Sequence, residues 1–401
     1  MKAKALAVTS TALFLMMSAF VGISATAQDG HVKWLYLLYL DADNNLDVSS
    51  GPRHASIVES DYAELMSVGS TKDVACYVLA DRWHGPANLF KIEKDSMTEI
   101  ETSSLNGKEI NMGDPNTLST FIKDASRANP ADHTLLVFWD HGSPRGVAWD
   151  DHVSDAGGED YLSHNEVISV VKDYRIDVLC ADECNVGQIE VAYEYATRTP
   201  TGYLVAAQTY TGWRGFPYDL TLKALTSNPD MTASQAAVMM IEKTQLLLNK
   251  PPYMGEAVNS HSAVDLGLVP QLVSSLGELA DLLAADMDVY INAVVKARGI
   301  AQYCYGANAM NIIDLRSFIA SLGDTVSSKE IKDACTAVLN AFDAAILDVH
   351  AIRPLQNMVS GLGILMPDHS SEFPEYYMEF AFESQGWMDF LEAYWAAHGI
   401  A

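Results

Sequence analysis

The chain has 401 residues, 49% of them hydrophobic, so it can bury a sizeable core without disulfide bonds and does not have the composition of a disordered protein. Its 52 acidic residues outnumber its 25 basic residues and give a net charge of −27. This charge argues against nucleic acid as a ligand, because phosphate would be repelled.

The first residues have the features of a signal peptide. Two lysines precede an apolar stretch over residues 12–23, and Ala25 and Ala27 form the small-x-small pattern that a signal peptidase cuts. The apolar stretch is shorter than the roughly 20 residues of a membrane-spanning helix. We therefore expect residues 1–27 to be removed, which brings the net charge to −29 because the two lysines leave with them. The mature protein is expected to be secreted, either extracellular or periplasmic, without a membrane attachment. An uncleaved membrane anchor is the alternative.

The first half of the chain alternates strands and helices. Apolar runs without clean alternation predict parallel strands that are covered on both faces, at residues 34–40, 74–79, 134–139, 176–180 and 203–207. Apolar residues at helical spacing predict helices between them, at residues 118–125, 163–171 and 189–196. Residues 89–105 resemble an inserted hairpin. The alternation predicts an α/β sandwich with a mostly parallel central sheet flanked by helices.

The second half of the chain is more helical. Residues 231–248 and 266–283 are long amphipathic stretches. Shorter runs are candidate strands that extend the sheet or form a smaller subdomain, at residues 256–264, 311–315 and 360–366. No low-complexity linker divides the chain. We expect an α/β core over residues 28–230 and a helical C-terminal part over residues 231–401 that packs on the core and extends it.

Two predicted strands lead into residues that are typical of nucleophilic catalysis. One continues into His141 and Gly142, and the other into Cys184, which is one of five cysteines, an odd number that leaves at least one thiol unpaired. Ligands bind beyond the carboxyl ends of strands in open α/β sheets, so these groups meet if the strands are neighbours. The imidazole can take the proton of the thiol, and the dipole of the helix that follows would lower the thiol pKa. The N–H groups of Gly142 and Cys184 are candidate oxyanion-hole donors. A structural thiol and an unrelated loop histidine are the alternative.

Several segments resemble the clostripain family of cysteine peptidases. Residues 135–142 and 176–184 resemble its histidine and cysteine motifs. Further blocks follow in the family's order, at residues 39–46, 146–151, 160–162, 187–194, 262–266 and 361–364. The resemblance covers nearly all of the chain after the signal peptide. It implies a caspase-like fold in which Cys184 is the nucleophile and His141 the general base.

The resemblance also implies an endopeptidase that cleaves protein or peptide substrates after Arg or Lys. Asp182 matches the family's motif aspartate and would pair with a basic side chain of the substrate. The alternative role of Asp182 is an N-terminal helix cap. Trp213 and Gln208 are further candidate substrate contacts, although packing is the alternative for Trp213. We expect the enzyme to be a monomer.

Some positions depart from the family pattern and motivate two alternative functions. Glu183 stands where the family has a small residue, and a carboxylate there would raise the pKa of the adjacent thiol. The chain would then be a catalytically inactive, acidic binding protein on a peptidase-like scaffold. Arg214, in the loop after Gln208, would favour acidic side chains if it lay in the pocket. The chain would then be a peptidase with acidic primary specificity.

We expect no cofactor, with calcium as an alternative at two places. An Asp-x-Asp-x-Asn motif starts at Asp41, but Leu46 and Pro52 stand where a calcium loop needs glycine and glutamate, so a turn is predicted there. The acidic loop over residues 150–160 is the second place, and a solvated loop is the main interpretation. The chain contains no zincin, P-loop or Gly-x-Ser-x-Gly motif.

Overall fold

The structure is a computed structural model that describes residues 30–48, 57–154, 157–212, 214–248, 260–301, 311–351 and 359–399. The predicted signal peptide, residues 1–27, lies outside the described residues. From His31 onward the chain forms one unit. Along the described part of the chain, no helix combines the length and the apolar character that a membrane crossing requires.

A nine-stranded sheet lies at the centre of this unit. The strands of the described residues are β1 (Val32–Ala42), β2 (Val74–Arg82), β3 (Asn88–Glu93), β4 (Ser96–Glu99), β5 (Ala131–Trp139), β6 (Gly142–Ser143), β7 (Gly146–Asp150), β8 (Asp160–Ser163), β9 (Val178–Asp182), β10 (Tyr203–Ala207), β11 (Ser260–Asp265), β12 (Ile312–Asp314), β13 (Ile346–Ala351) and β14 (Gly363–Leu365). The order across the large sheet is β13-β11-β10-β9-β5-β1-β2-β3-β4. The five strands from β10 to β2 are parallel, and the flanking strands are antiparallel to their neighbours. The mostly parallel sheet is therefore confirmed.

Helices cover both faces of the sheet. They are α1 (Asn45–Val48), α2 (Ile57–Val68), α3 (Pro115–Ala128), α4 (His164–Val171), α5 (Ile189–Arg198), α6 (Tyr218–Ser227), α7 (Ala233–Leu248), α8 (Val269–Ala285), α9 (Met287–Ile300), α10 (Leu315–Thr325), α11 (Lys329–Ala345) and α12 (Trp387–His398). In β1, Leu35 and Leu37 enter the core formed with α3, α4, α5 and the helices from α8 onward. The alternate residues Trp34 and Tyr36 enter the core formed with α2, α6 and α7. A strand that is buried on both faces needs apolar residues at every position, which explains the continuous apolar runs.

One boundary differs from the sequence prediction and affects the site. The strand predicted at residues 176–180 is β9, which starts and ends two residues later. Asp177 lies before the start of β9, because its carboxylate accepts a hydrogen bond from the backbone N–H of Thr134 at 2.9 Å. Cys180 therefore lies in the middle of β9, and Asp182 ends it.

The C-terminal part extends the sheet and packs on the helix after the predicted nucleophile. Strands β11 and β13 form one edge of the large sheet, whereas β12 and β14 form a separate two-stranded sheet. Two buried carboxylates of α5 accept hydrogen bonds from this part of the chain. Glu190 accepts from the N–H of Leu365 at 2.8 Å, and Glu194 accepts from the N–H of Phe382 at 3.0 Å. The C-terminal part therefore holds α5 in place.

Candidate active site

The two predicted catalytic residues lie at one edge of the sheet. Strands β5 and β9 are parallel neighbours, and their register pairs Trp139 with Asp182. His141 lies two residues after Trp139, and Cys184 lies two residues after Asp182. Both therefore lie at the same level beyond the strand ends. Both line a cavity of about 470 Å³. The condition on which the proposed dyad depended, that its two strands are neighbours, is met.

Cys184 is the partly exposed member of the described cysteines. Cys76, Cys180 and Cys335 are buried free thiols, whereas Cys184 is half-buried and lines the cavity. Its Sγ accepts a hydrogen bond from the backbone N–H of Thr211 at 3.4 Å. Burial raises the pKa of the Cys184 thiol, and the nearby carboxylate of Glu183 contributes less. The prediction that the following helix lowers this pKa is therefore wrong, because α5 starts five residues after Cys184 and burial dominates.

His141 is oriented by a residue that the sequence interpretation missed. Its Nε2 lies 2.8 Å from Oδ1 of Asn45, at the start of α1. Because the amide oxygen accepts, Nε2 carries the proton and Nδ1 is left with a lone pair. Burial lowers the pKa of His141, which keeps the imidazole neutral at pH 7. The neutral thiol and the neutral imidazole are suited to a proton transfer between them.

The loop that carries Asn45 is fixed next to the histidine. Asn44 donates from Nδ2 to Oδ1 of Asp140 at 2.6 Å and to the carbonyl oxygen of Trp149 at 3.0 Å. Asp140 immediately precedes His141, so one hydrogen bond ties the loop after β1 to the end of β5. The signal available in the sequence was the pair of asparagines that follows β1, because β1 and β5 end at the same edge of the sheet.

Gly142, which lines the cavity, packs against Glu183. A Cβ at position 142 would lie 2.6 Å from Cβ of Glu183 and 3.0 Å from the carbonyl oxygen of Cys184, so glycine is required there. Glu183 is buried, and the backbone N–H of Ala148 donates to its Oε1 at 3.4 Å. Burial raises the pKa of Glu183 well above its ordinary value and so favours the neutral carboxylic acid. This weakens the negative charge beside the thiol.

One carboxylate oxygen of Asp182 accepts hydrogen bonds, and the other has no hydrogen-bond partner. Its Oδ2 accepts from the backbone N–H of Phe216 at 2.8 Å and from the hydroxyl of Tyr218 at 2.9 Å. Its Oδ1 is buried and has no hydrogen-bond partner, and the residue lines the cavity. Burial raises the pKa of Asp182 to about 6. Asp182 is not the cap of α5, because the N-cap residue of that helix is Gln188.

Two of the remaining candidate side chains point away from the cavity. Arg214 donates to Oε1 of Glu64 at 2.9 Å and to Oγ of Ser60 at 3.2 Å, and it does not line the cavity. The alternative of acidic specificity required Arg214 to lie in the pocket, so this position does not support it. Gln208 is fully buried and donates to Oδ2 of Asp314 at 3.0 Å, so the structure places it against the C-terminal part and not against a substrate. Trp213 lies outside the described residues.

Each of the two calcium candidates from the sequence includes a carboxylate that accepts hydrogen bonds from backbone groups. Oδ1 of Asp41 accepts from the N–H of Asp43 at 3.3 Å, in the turn that the sequence predicts. In the acidic loop, Asp150 accepts from the N–H groups of Met112 and His152, both at 2.8 Å. Calcium at these two places stays a prediction from the sequence.

Comparison with known proteins finds a family that matches most of the chain. The sequence profile of the clostripain family matches residues 38–395. Clostripain of Hathewaya histolytica is 28% identical over 226 residues, which are 49% of this chain and 43% of that protein, so the match spans less than half the length of that relative.

Two crystal structures resemble the fold. One is a secreted C11 cysteine protease from Bacteroides thetaiotaomicron in complex with an irreversible peptide inhibitor, with a TM-score of 0.65 and 17% identity over 89% of this chain and 99% of that chain. The other is an inactive zymogen of a C11 protease from Parabacteroides distasonis, with a TM-score of 0.64, 17% identity and the same coverage of both chains. At this identity the two structures establish the fold alone. Because the family profile matches nearly the whole chain, this protein belongs to the clostripain family of cysteine peptidases.

Proposed function

We propose that this protein is a secreted cysteine endopeptidase that cleaves peptide bonds after Arg or Lys. The observation that carries the specificity is Asp182, which lines the cavity that also contains Cys184 and His141 and has a buried Oδ1 without a hydrogen-bond partner. A buried carboxylate oxygen without a donor is unfavourable, and a guanidinium or ammonium group supplies the missing donor together with a compensating charge.

The catalytic dyad acts by general base catalysis in this proposal. As the substrate carbonyl approaches Cys184, Nδ1 of His141 takes the thiol proton and Sγ attacks the carbonyl carbon. Nε2 remains bonded to Asn45, which holds the ring in place and leaves Nδ1 as the proton acceptor. The N–H groups of Gly142 and Cys184 are the proposed donors to the oxygen of the tetrahedral intermediate. The imidazolium then donates its proton to the leaving amine, and water hydrolyses the thioester.

Asn45 is proposed as a positioning residue for His141. We expect Asn45→Ala to lower kcat by roughly tenfold to a hundredfold with little change in KM, because the ring loses its fixed orientation. Asn45→Asp keeps an acceptor oxygen and should retain more activity than the alanine variant. Its added negative charge should raise the pKa of His141 and move the acid limb of the kcat profile to higher pH. An equal loss of kcat in both variants, without a shift of the acid limb, would contradict this role.

Secretion is part of the proposal. The positively charged start, the apolar stretch over residues 12–23 and the small residues at 25 and 27 support export. The Bacteroides thetaiotaomicron protein with a similar fold is described as secreted.

One observation favours a second candidate function, a binding protein without catalytic activity. The raised pKa of Cys184 means that the resting thiol is protonated, and a protonated thiol is a poor nucleophile. The presence of a neutral imidazole in the same cavity favours the peptidase, because the base can remove the proton during attack.

A panel of fluorogenic peptides tests the proposed function. The mature protein is incubated with peptides that differ only in the residue before the fluorophore, which is Arg, Lys, citrulline, Leu or Asp. We expect kcat/KM for Arg and Lys to exceed that for citrulline, a neutral analogue of Arg, by about a hundredfold. Preference for Asp would overturn the specificity. Binding of the peptides without cleavage of any of them would support the second candidate.

A further inference from the structure

Residues 214–218 lie beside the carboxylate of Asp182 and are held at both ends by α2. We call these residues the 214–218 loop. Glu64 of α2 accepts through Oε1 from Arg214 and through Oε2 from the backbone N–H of Tyr218, both at 2.9 Å. Tyr218 is the first residue of α6, where backbone N–H groups have no partner inside the helix, so Glu64 supplies the missing acceptor. The backbone of Tyr218 is therefore fixed by α2 and not by Asp182.

The middle of the 214–218 loop contacts Asp182 directly. Gly215 has a φ of 54°, and a Cβ there would lie 2.2 Å from Oδ2 of Asp182, so glycine is required. The N–H of Phe216 and the hydroxyl of Tyr218 both donate to this same Oδ2, at 2.8 Å and 2.9 Å. The loop thus determines which oxygen of Asp182 accepts hydrogen bonds within the protein, and Oδ1 is the one without a partner.

The hydrogen bond from Tyr218 favours the ionised form of Asp182. Tyr218 has no exposed surface, and burial raises the pKa of its phenol well above its ordinary value, so the hydroxyl keeps its proton and acts as a donor. Burial raises the pKa of Asp182 to about 6, and the hydrogen bonds from Phe216 and Tyr218 oppose that rise. A proton on the neutral acid would lie on Oδ1, because Oδ2 already accepts two hydrogen bonds. The neutral acid would therefore present a donor, and not an acceptor, to a basic side chain.

We propose that Tyr218 is a positioning residue for specificity, whose hydroxyl orients the Asp182 carboxylate and stabilises its negative charge for a basic side chain of the substrate. This inference rests on the proposed function, because it assumes that Asp182 receives Arg or Lys. Tyr218 is not one of the described residues that line the cavity, so it acts only through Asp182. Its hydroxyl extends to lower pH the range in which the enzyme distinguishes Arg from a neutral side chain.

The other titratable groups near Asp182 do not take over this role. Arg214 donates to Glu64, and burial raises the pKa of every acidic group concerned, which disfavours further negative charge beside Asp182. Burial lowers the pKa of His141, whose part in the chemical step is the same for basic and neutral substrates. The acidic groups are Tyr36 on β1, Asp61 and Glu64 on α2, Asp140 after β5, and Cys180, Glu183 and Cys184 on β9 and in the turn after it.

The charge of Asp182 is measured first, in protein that cannot cleave peptides. Protein with Cys184→Ala is labelled with ¹³C at Cγ of aspartate, and the NMR signal of Asp182 is assigned by its loss in Asp182→Asn. The pKa from this signal should rise by about one unit on Tyr218→Phe, because a hydrogen bond to the charged form is lost. The substitution keeps the aromatic ring in the core, so the fold should be retained.

Tyr36→Phe is the matched control for the loss of a buried hydroxyl. Tyr36 is also fully buried, and its hydroxyl lies 3.2 Å from Oγ1 of Thr221 on α6, so the bond that is lost involves the same helix but not Asp182. The pKa of Asp182 should stay unchanged in this variant.

The second measurement is the ratio of kcat/KM for Arg over citrulline peptides as a function of pH. The ratio should fall as the pH drops through about 6 in the wild type and through about 7 in Tyr218→Phe. At pH 6.5 the ratio in the variant should be about threefold lower than in the wild type, and at pH 8.5 within about twofold of it. A merely structural role of Tyr218 would lower kcat/KM for both substrates alike and leave the midpoint in place. Tyr36→Phe should follow the profile of the wild type.

The two measurements separate this inference from the proposed function. An unchanged pKa of Asp182 in Tyr218→Phe would overturn the role of Tyr218 whether or not the protein is a peptidase. An Arg preference in the wild type with the same midpoint in Tyr218→Phe would also overturn it and would leave the proposed function in place. A raised pKa of Asp182 without any Arg preference in the wild type would overturn the proposed specificity, and the role of Tyr218 in it.

Discussion

Replacement of Cys184 by alanine should lower kcat/KM for an Arg-terminated fluorogenic peptide by at least about a thousandfold. The sulfur forms the covalent bond to the substrate in the proposed reaction, and the methyl group of alanine cannot replace it. Initial rates with wild type and variant at equal concentrations provide the measurement. Because Cys184 is half-buried at the cavity wall, removal of the sulfur should leave the fold and its Tm nearly unchanged.

The control for this prediction is Cys335→Ala, which removes another free thiol in α11, outside the residues that line the cavity. This variant should retain the activity of the wild type. Iodoacetamide should inactivate the wild type and the Cys335→Ala variant at the same rate. Hydrolysis that persists in Cys184→Ala at more than a few per cent of the wild-type rate would rule out Cys184 as the nucleophile.

Replacement of Asp182 by asparagine should remove most of the preference for basic residues. The amide oxygen can take the place of Oδ2 and keep the hydrogen bonds from Phe216 and Tyr218, so the loop should remain in position. The amide nitrogen then replaces the unpartnered Oδ1 and presents a donor to the cationic side chain of the substrate. We expect kcat/KM for Arg peptides to fall by about a hundredfold to a thousandfold and that for citrulline peptides to change by less than about fivefold.

The pH dependence provides an independent check on Asp182. Burial raises the pKa of this carboxyl to about 6, so the charge that attracts Arg is present above that pH and is lost below it. The ratio of kcat/KM for Arg over citrulline should therefore fall as the pH drops through about 6 in the wild type. The ratio should be flat in Asp182→Asn, since protonation of His141 affects both substrates equally and cancels.

Asp219→Asn is the matched control for charge. It removes a carboxylate in the first turn of α6, outside the residues that line the cavity, and should leave the Arg preference in place. Loss of the preference in both variants would mean that the overall negative charge attracts basic substrates. Retention of the preference in Asp182→Asn would mean that another group forms the specificity pocket.

The central strands could be predicted because each is a continuous apolar run, which is the pattern of a strand that is buried on both faces. A strand such as β10 has the same bounds in the sequence interpretation and in the structure. The start of β9 could not be predicted, because it depends on a contact with a distant residue. The side chain of Asp177 accepts a hydrogen bond from Thr134, 43 residues earlier in the chain, so Asp177 is the last residue of the loop and not the first residue of the strand. Local apolar pattern carries no information about such a contact.

The same limit applies to the site. The order of residues along the chain was enough to propose Cys184 and His141, since both follow apolar strands and resemble family motifs. Their side-chain environments depend on residues that are distant in sequence. Arg214 is turned away by Glu64, and the pKa of Cys184 is raised by the surrounding core and not lowered by the helix.

The amino-acid order was therefore enough to predict the class of fold and to propose the reacting groups, because strand burial and motif spacing are local properties. The folded sheet alone specifies which nitrogen of His141 binds Asn45 and which oxygen of Asp182 is left without a donor. Each of these depends on which strand ends are neighbours and on how deeply each group is buried. Burial and hydrogen-bond partners set protonation and charge, and both arise only when distant segments pack together.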